Sequence, residues 1–337
     1  MKTLFIRKKD WVNFLKGKLQ KGRIYAPFEF EDKLFYSSVS QENLEEIVYN
    51  KVRPVEPIKI FLYPFKERVV PEIDEVEEII VMGATSCDVR GIEILDKVFM
   101  EGDYVDLNYK KRREKLFIIS FDCQQPYPTC LCEKFGIHPY PEKNFDINIS
   151  KLGEGFIVEI GSEKGEEFVG NDQRFFEVTE EQKKKRDVLR KEVSKKVQEN
   201  NKEFDFENIN ERMKELYETE IWRKPPEVEN CVACGSCTAN CPTCVCFLLE
   251  DTGAENLFKK MKVWDSCLYP GYAKMASGAT PRPTLYERYG NRFLCKYSYM
   301  VSNFGILGCT GCGRCITGCI GKIDKRKVIT EVLKQKV

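Results

Sequence analysis

One spacing of cysteines occurs twice in this chain: Cys231, Cys234, Cys237 and Cys241, then Cys309, Cys312, Cys315 and Cys319. Each run reads C-x2-C-x2-C-x3-C. Three thiolates at this spacing, wrapped in a tight turn of small residues, reach three corners of one iron–sulfur cubane. The fourth cysteine begins a helix that points away, so it ligates the other cluster. The expected ligand sets therefore cross. Cluster one takes Cys231, Cys234, Cys237 and Cys319, and cluster two takes Cys241, Cys309, Cys312 and Cys315.

Gly235, Gly311 and Gly313 suit a backbone that folds closely around inorganic sulfide and donates N–H groups to it. Pro242 follows Cys241 as the motif expects, whereas Ile320 follows Cys319. That proline shapes a turn and is not a ligand. The alternative ligand chemistry is zinc. The chain has a single histidine, His138, followed by Pro139, which disfavours Cys/His zinc sites and a Ser-His-Asp triad. His138 is read as structural.

The chain has 337 residues and a net charge of +1, so two or three domains are expected, with no broad field to select nucleic acid or anionic lipid. Lys2 and Arg7 break up the opening residues, and no apolar run is long enough for a secretory signal or a bilayer span. A cytoplasmic location is expected. In a reducing compartment the sixteen cysteines are metal ligands more readily than disulfides.

The first part reads as α/β, with strands expected at 59–63, 78–83 and 115–120 and a later sheet pair at 155–160 and 167–169. Ile92, Leu95 and Phe99 recur at helical spacing. From Thr179 to Trp222 charge is heavy, and the stripes Leu189, Val193, Val197 and Ile209, Met213, Leu216 predict two helices broken near Asn200 and Asn201. Pro225 and Pro226 mark a boundary. The expected organisation is an α/β domain over 1–178, a charged helical connector over 179–225 and a mainly helical dicluster ferredoxin-like domain over 226–337.

Two further sets of cysteines need an account. Cys87 follows one expected strand, Cys123 follows another, and Cys130 and Cys132 come soon after. If the strands are parallel neighbours, their C-terminal ends share one sheet edge, where α/β ligand sites gather. Four thiolates there suffice for a third Fe–S cluster; the competing reading is loop cysteines that share no ligand. Cys244, Cys246, Cys267 and Cys295 are read as buried structural thiols, because a further cluster would require all four to converge. No G-x-G-x-x-G follows a strand and no G-x4-G-K-[ST] occurs, so flavin and nicotinamide are expected on another chain.

The strings around Cys87-Asp88, Arg112-Arg113, Cys130 to Cys132, Cys241 to Cys246 and Trp264 to Cys267 fall in a characteristic order. With the two cysteine runs and their wide separation, they resemble the β subunit of cytoplasmic sulfhydrogenases, soluble [NiFe] hydrogenases of hyperthermophilic archaea. The iron–sulfur electron-transfer component of anaerobic sulfite reductase is similar. The resemblance runs from about Ile24 to Gly321. It implies two [4Fe–4S] clusters and favours a third at Cys87, Cys123, Cys130 and Cys132. It also implies electron transfer between an NAD(P)H-linked flavoprotein and the small and large [NiFe] subunits of a heterotetramer. That complex turns over dihydrogen or reduces polysulfide to hydrogen sulfide. In the sulfite reductase the electrons reach a sirohaem protein. Arg112 and Arg113 would lie near a cluster, at a contact between subunits or on a plain surface.

Overall fold

The computed structural model describes residues 2–20, 22–49, 51, 53–216, 219–254 and 257–335. Its strands are β1 (Lys2–Arg7), β2 (Arg23–Phe30), β3 (Lys33–Ser38), β4 (Lys66–Val70), β5 (Ile79–Ala84) and β6 (Leu116–Phe121). They continue with β7 (Ile147–Leu152), β8 (Gly155–Ile160), β9 (Phe176–Glu177), β10 (Phe247–Ala254) and β11 (Leu257–Trp264). The helices of the first part are α1 (Lys8–Lys18), α2 (Ser86–Phe99), α3 (Leu107–Lys115), α4 (Glu163–Val169), α5 (Glu180–Glu199) and α6 (Ile209–Glu215). Those of the second part are α7 (Ser236–Ala239), α8 (Leu285–Leu294), α9 (Met300–Phe304), α10 (Arg314–Thr317) and α11 (Lys325–Leu333). No described helix is long and apolar enough to cross a membrane.

The strands divide between two sheets. Eight form one mixed sheet in the order β3-β2-β5-β6-β7-β8-β1-β9, and β10-β11-β4 form a second. Strands β2, β5, β6 and β7 run parallel, which explains why β5 and β6 read as continuous apolar runs buried on both faces. One face packs on α1 through Trp11, Phe14 and Leu15; the other packs on α2 through Val89, Ile92 and Leu95. The C-terminal core gathers Met213, Leu216, Tyr289, Phe293, Val328 and Ile329.

Two expected strands are corrected. Residues Ile58–Phe61 form a 3-10 turn, entered from Pro57, which buries Ile58, Leu62 and Tyr63. Residues 167–169 end helix α4, because Ser162 caps it by accepting from the Gly165 N–H at 3.1 Å. The true partners of β8 are β7 and β1. Helices α5 and α6 fall where charge and periodicity predict them. The face of α5 is not wholly solvated, however. Arg190 reaches Asp122 at 2.7 Å, and Arg186 reaches Glu159 at 2.9 Å.

The second sheet crosses the expected 1–178 limit. The hairpin β10–β11 lies between the two cysteine runs, and its outer partner β4 comes from the first part of the chain. Buried charges hold this joint: Lys262 pairs with Glu67 at 2.6 Å, and Arg112 pairs with the same carboxylate at 2.5 Å. Arg113 pairs with Asp96 at 3.1 Å, so the two arginines serve ion pairs within the chain.

Candidate metal centres

Each cysteine run turns around left-handed backbone. Gly235, Gly311 and Gly313 take φ of +74°, +65° and +71°, and Ala233 takes 52° at the position that matches Gly311. The glycine is required at 311 for a second reason. A Cβ there would lie 2.6 Å from the backbone of Cys132, because the loop carrying Cys130 and Cys132 lies directly on the second run. The Leu131 N–H donates to the Gly311 carbonyl at 2.8 Å. The same loop is held from behind: Asn201 donates to the Cys130 carbonyl at 2.7 Å, and Arg326 donates to the Pro128 carbonyl at 2.8 Å.

The structure brings the cysteines of the two runs into two groups. Cys231, Cys234, Cys237 and Cys319 line one cavity, with Leu268, Tyr289 and Arg292 in its wall. Cys241 is an electrostatic neighbour of Cys309, Cys312 and Cys315. The four N-terminal cysteines converge too. Strands β5 and β6 are parallel neighbours, and Cys87 and Cys123 leave their C-terminal ends. Cys123 has Cys87, Cys132 and Cys130 as its neighbours, and Cys87 and Cys130 both face Cys312. Burial pushes the thiols of Cys87 and Cys123 well up and that of Cys309 to about 12. Thiols so buried stay neutral unless a metal takes their protons. Among the described residues, no three His, Cys, Asp or Glu side chains are grouped to hold a single metal ion.

Charge balance supports the same fit. Arg292, Lys296 and Lys59 are buried, and their hydrogen bonds among the described residues go to uncharged oxygens. Arg292 donates to the Cys237 carbonyl at 3.2 Å while its Nε has no partner. Burial works against all three cations. For Arg292 it is outweighed by Cys237, Cys315, Cys244 and Cys241, and for Lys296 by Cys241, Cys244 and Cys295. For Lys59 burial wins and lowers the ammonium to about 8. A buried cation without a counter-charge is strongly unfavourable. Clusters ligated by four thiolates would supply the counter-charge that these cations lack. Arg53 and Arg314 stand between the second run and the N-terminal cysteines, and Arg314, unlike the others, has a carboxylate partner. Arg53 donates to the Cys312 carbonyl at 2.6 Å, and Arg314 pairs with Asp88 beside Cys87.

Sequence reasoning missed these cations. A signal existed: Arg288, Arg292 and Lys296 recur every four residues and are buried, beside the aromatic pair Tyr289 and Phe293. His138 lies 3.4 Å from Glu133 and stacks on Tyr140, while its neighbours Ile137 and Pro139 hydrogen-bond the backbones of Cys132 and Cys123.

Cysteine runs wrapped in left-handed turns, with buried cations beside them, are features of an iron–sulfur protein. The family model described as a 4Fe-4S dicluster domain matches residues 230–323. A curated relative, sulfhydrogenase 2 subunit beta of Pyrococcus furiosus, is 31% identical over 320 residues, covering 92% of each chain. The chain belongs to the sulfhydrogenase β-subunit family and is an iron–sulfur subunit of an oxidoreductase. No solved structure matches it.

Proposed function

We propose that this chain relays electrons between an NAD(P)H-linked flavoprotein and the small and large [NiFe] subunits of a cytoplasmic heterotetramer that turns over dihydrogen or reduces polysulfide. Cluster one is held by Cys231, Cys234, Cys237 and Cys319, cluster two by Cys241, Cys309, Cys312 and Cys315, and a third by Cys87, Cys123, Cys130 and Cys132. The clusters would supply one-electron transfer without an open coordination position.

The observation that carries this reading is the contiguity of the three cysteine sets. Arg292 faces Cys237 of the first and Cys315 of the second, while Cys312 of the second neighbours Cys87 of the third. The protein's own part is to hold the thiolates, offer N–H groups at Gly235, Gly311 and Gly313, and keep water out with Tyr289, Tyr297 and Leu268. The division into 1–178, 179–225 and 226–337 assigns the third site to the α/β part and the first two to the C-terminal part. The relative, itself a subunit of a sulfhydrogenase, supports a multi-subunit setting.

Anaerobic co-purification tests the partners. A nickel-containing protein together with a flavoprotein is expected. A sirohaem partner would move the chain to the sulfite reductase group, for which no separate structural observation speaks. Substituting Cys123→Ser should remove about four irons per chain and one reduced-state EPR signal.

A further inference from the structure

Four cysteines lie outside these sets, and they are not scattered. Cys244 and Cys246 precede β10, and Cys267 follows β11, so the closed hairpin returns them to one place. The Asp265 N–H donates to the Cys246 carbonyl at 3.0 Å, and the Cys267 thiol hydrogen-bonds the Cys246 sulfur. Cys295 arrives from α8, at the start of a π-helical turn over Cys295–Tyr299. Such turns insert one extra residue and occur often at functional sites. Tyr272 ties three of the four together: it hydrogen-bonds Cys246 and has Cys267 and Cys295 as further neighbours.

The fourth joins through the buried cations. Lys59 faces both Cys244 and Cys246, and Lys296 faces both Cys244 and Cys295. Lys59 also donates to the Cys244 carbonyl at 3.0 Å and lies 4.1 Å from the Trp264 ring, which places it under the hairpin base. Cys244 and Cys267 are buried, and Cys246 and Cys295 are partly so.

We propose that Cys244, Cys246, Cys267 and Cys295 hold a further iron–sulfur cluster, beside the one assigned to Cys241, Cys309, Cys312 and Cys315. The ligand set stands on its own geometry, while a role in the relay rests on the function proposed above. The competing occupant, a single zinc, would leave iron unchanged in the double variant below and so overturn the proposal. A Cys246–Cys267 disulfide would be neutral, would leave Cys244 and Cys295 without a task, and would offer Lys59 and Lys296 no charge. The Cys241–Cys244 hydrogen bond sets the two sites edge to edge, so the C-P-T-C sequence spans both.

The test uses the full chain with its co-purifying partners, prepared anaerobically. Cys246→Ser/Cys267→Ser should lose about four irons per chain for a cubane, or about two for a [2Fe–2S] cluster, and one EPR signal. The signal lost in Cys319→Ser should survive. Iron and spectra equal to the wild type would overturn the proposal. Should the double variant not accumulate, native alkylation of the wild type with iodoacetamide decides. Cys246 and Cys295 are expected to stay unlabelled until an iron chelator is added. Immediate labelling, or a Cys246–Cys267 disulfide in the peptide masses, would overturn it. Loss of the relay reading would appear elsewhere, as unchanged iron in Cys234→Ser and Cys312→Ser.

Discussion

Arg314 donates from both terminal nitrogens to both oxygens of Asp88, at 2.8 and 2.9 Å, with neither side chain more than 1% exposed. Asp88 adjoins Cys87 in the first turn of α2, and Arg314 lies between Cys312 and Cys315. The pair therefore joins the sheet edge to the second cysteine run at their point of contact. Removing one partner of a buried pair strands the other charge, at a cost of about 3–5 kcal/mol. Arg314→Ala and Asp88→Asn should each lower stability by roughly this amount in anaerobic denaturant titrations. An apolar double replacement, Arg314→Met/Asp88→Leu, should cost less than the two single losses added together. Simple additivity would show that the two groups do not act as a pair.

Gly311 and Ala233 share a left-handed backbone; Ala233 carries its Cβ there, whereas a Cβ at 311 would meet the backbone of Leu131 and Cys132. Gly311→Ala must therefore displace the Leu131–Cys132 backbone and should reduce iron in both the second and third cysteine sets. Ala233→Gly should leave iron unchanged, with at most a gain of about 1 kcal/mol from relieved left-handed strain. Metal analysis of the two variants checks this, and equal iron in both would refute the docked-loop explanation.

The crossing of ligands makes a separate prediction. Cys319 is 82 residues from Cys237 along the chain but shares its cavity. Cys319→Ser and Cys234→Ser should remove the same EPR signal, and Cys241→Ser a different one. If Cys319→Ser instead erased the signal lost in Cys312→Ser, each run would serve its own cluster.

Much of this arrangement was legible in the cysteine spacing, because ligand geometry is local. The turn residues at Gly235, Gly311 and Gly313, the two strands that lead to Cys87 and Cys123, and the helices on either side of Asn200 are all short-range signals; the parallel pairing of those strands is not. The losses have physical reasons. Residues 59–63 are as apolar as a strand, but Pro57 and the burial of both Ile58 and Leu62 favour a turn. The cysteines from Cys244 to Cys295 looked idle because a hairpin and a π turn, both tertiary in origin, bring them together. Buried Lys59 and Lys296 could not be read as partners of anything until the thiols around them were located.

Arg292 offers a test of the electrostatics. It faces Cys237 and Cys315, so its positive charge should stabilise the reduced, more negative form of both neighbouring clusters. Arg292→Met should move both potentials in the negative direction by about 60 mV, equivalent to about 1.4 kcal/mol for one electron. Potentiometric EPR titration reads each separately. A shift confined to one cluster would place the guanidinium at that cluster alone.

The pairing of β11 with β4 has a consequence for how such a protein can be inherited. Two cysteine runs on a short helical frame would ordinarily be a portable cassette, able to move between unrelated chains. Here the segment between the runs borrows its outer strand from residues 66–70, and its buried Lys262 borrows Glu67 from the same strand. A gene fragment encoding 230–323 alone would carry the ligand pattern but leave a bare sheet edge and an orphaned ammonium. Recombination that separates the two halves should therefore yield no stably folded product.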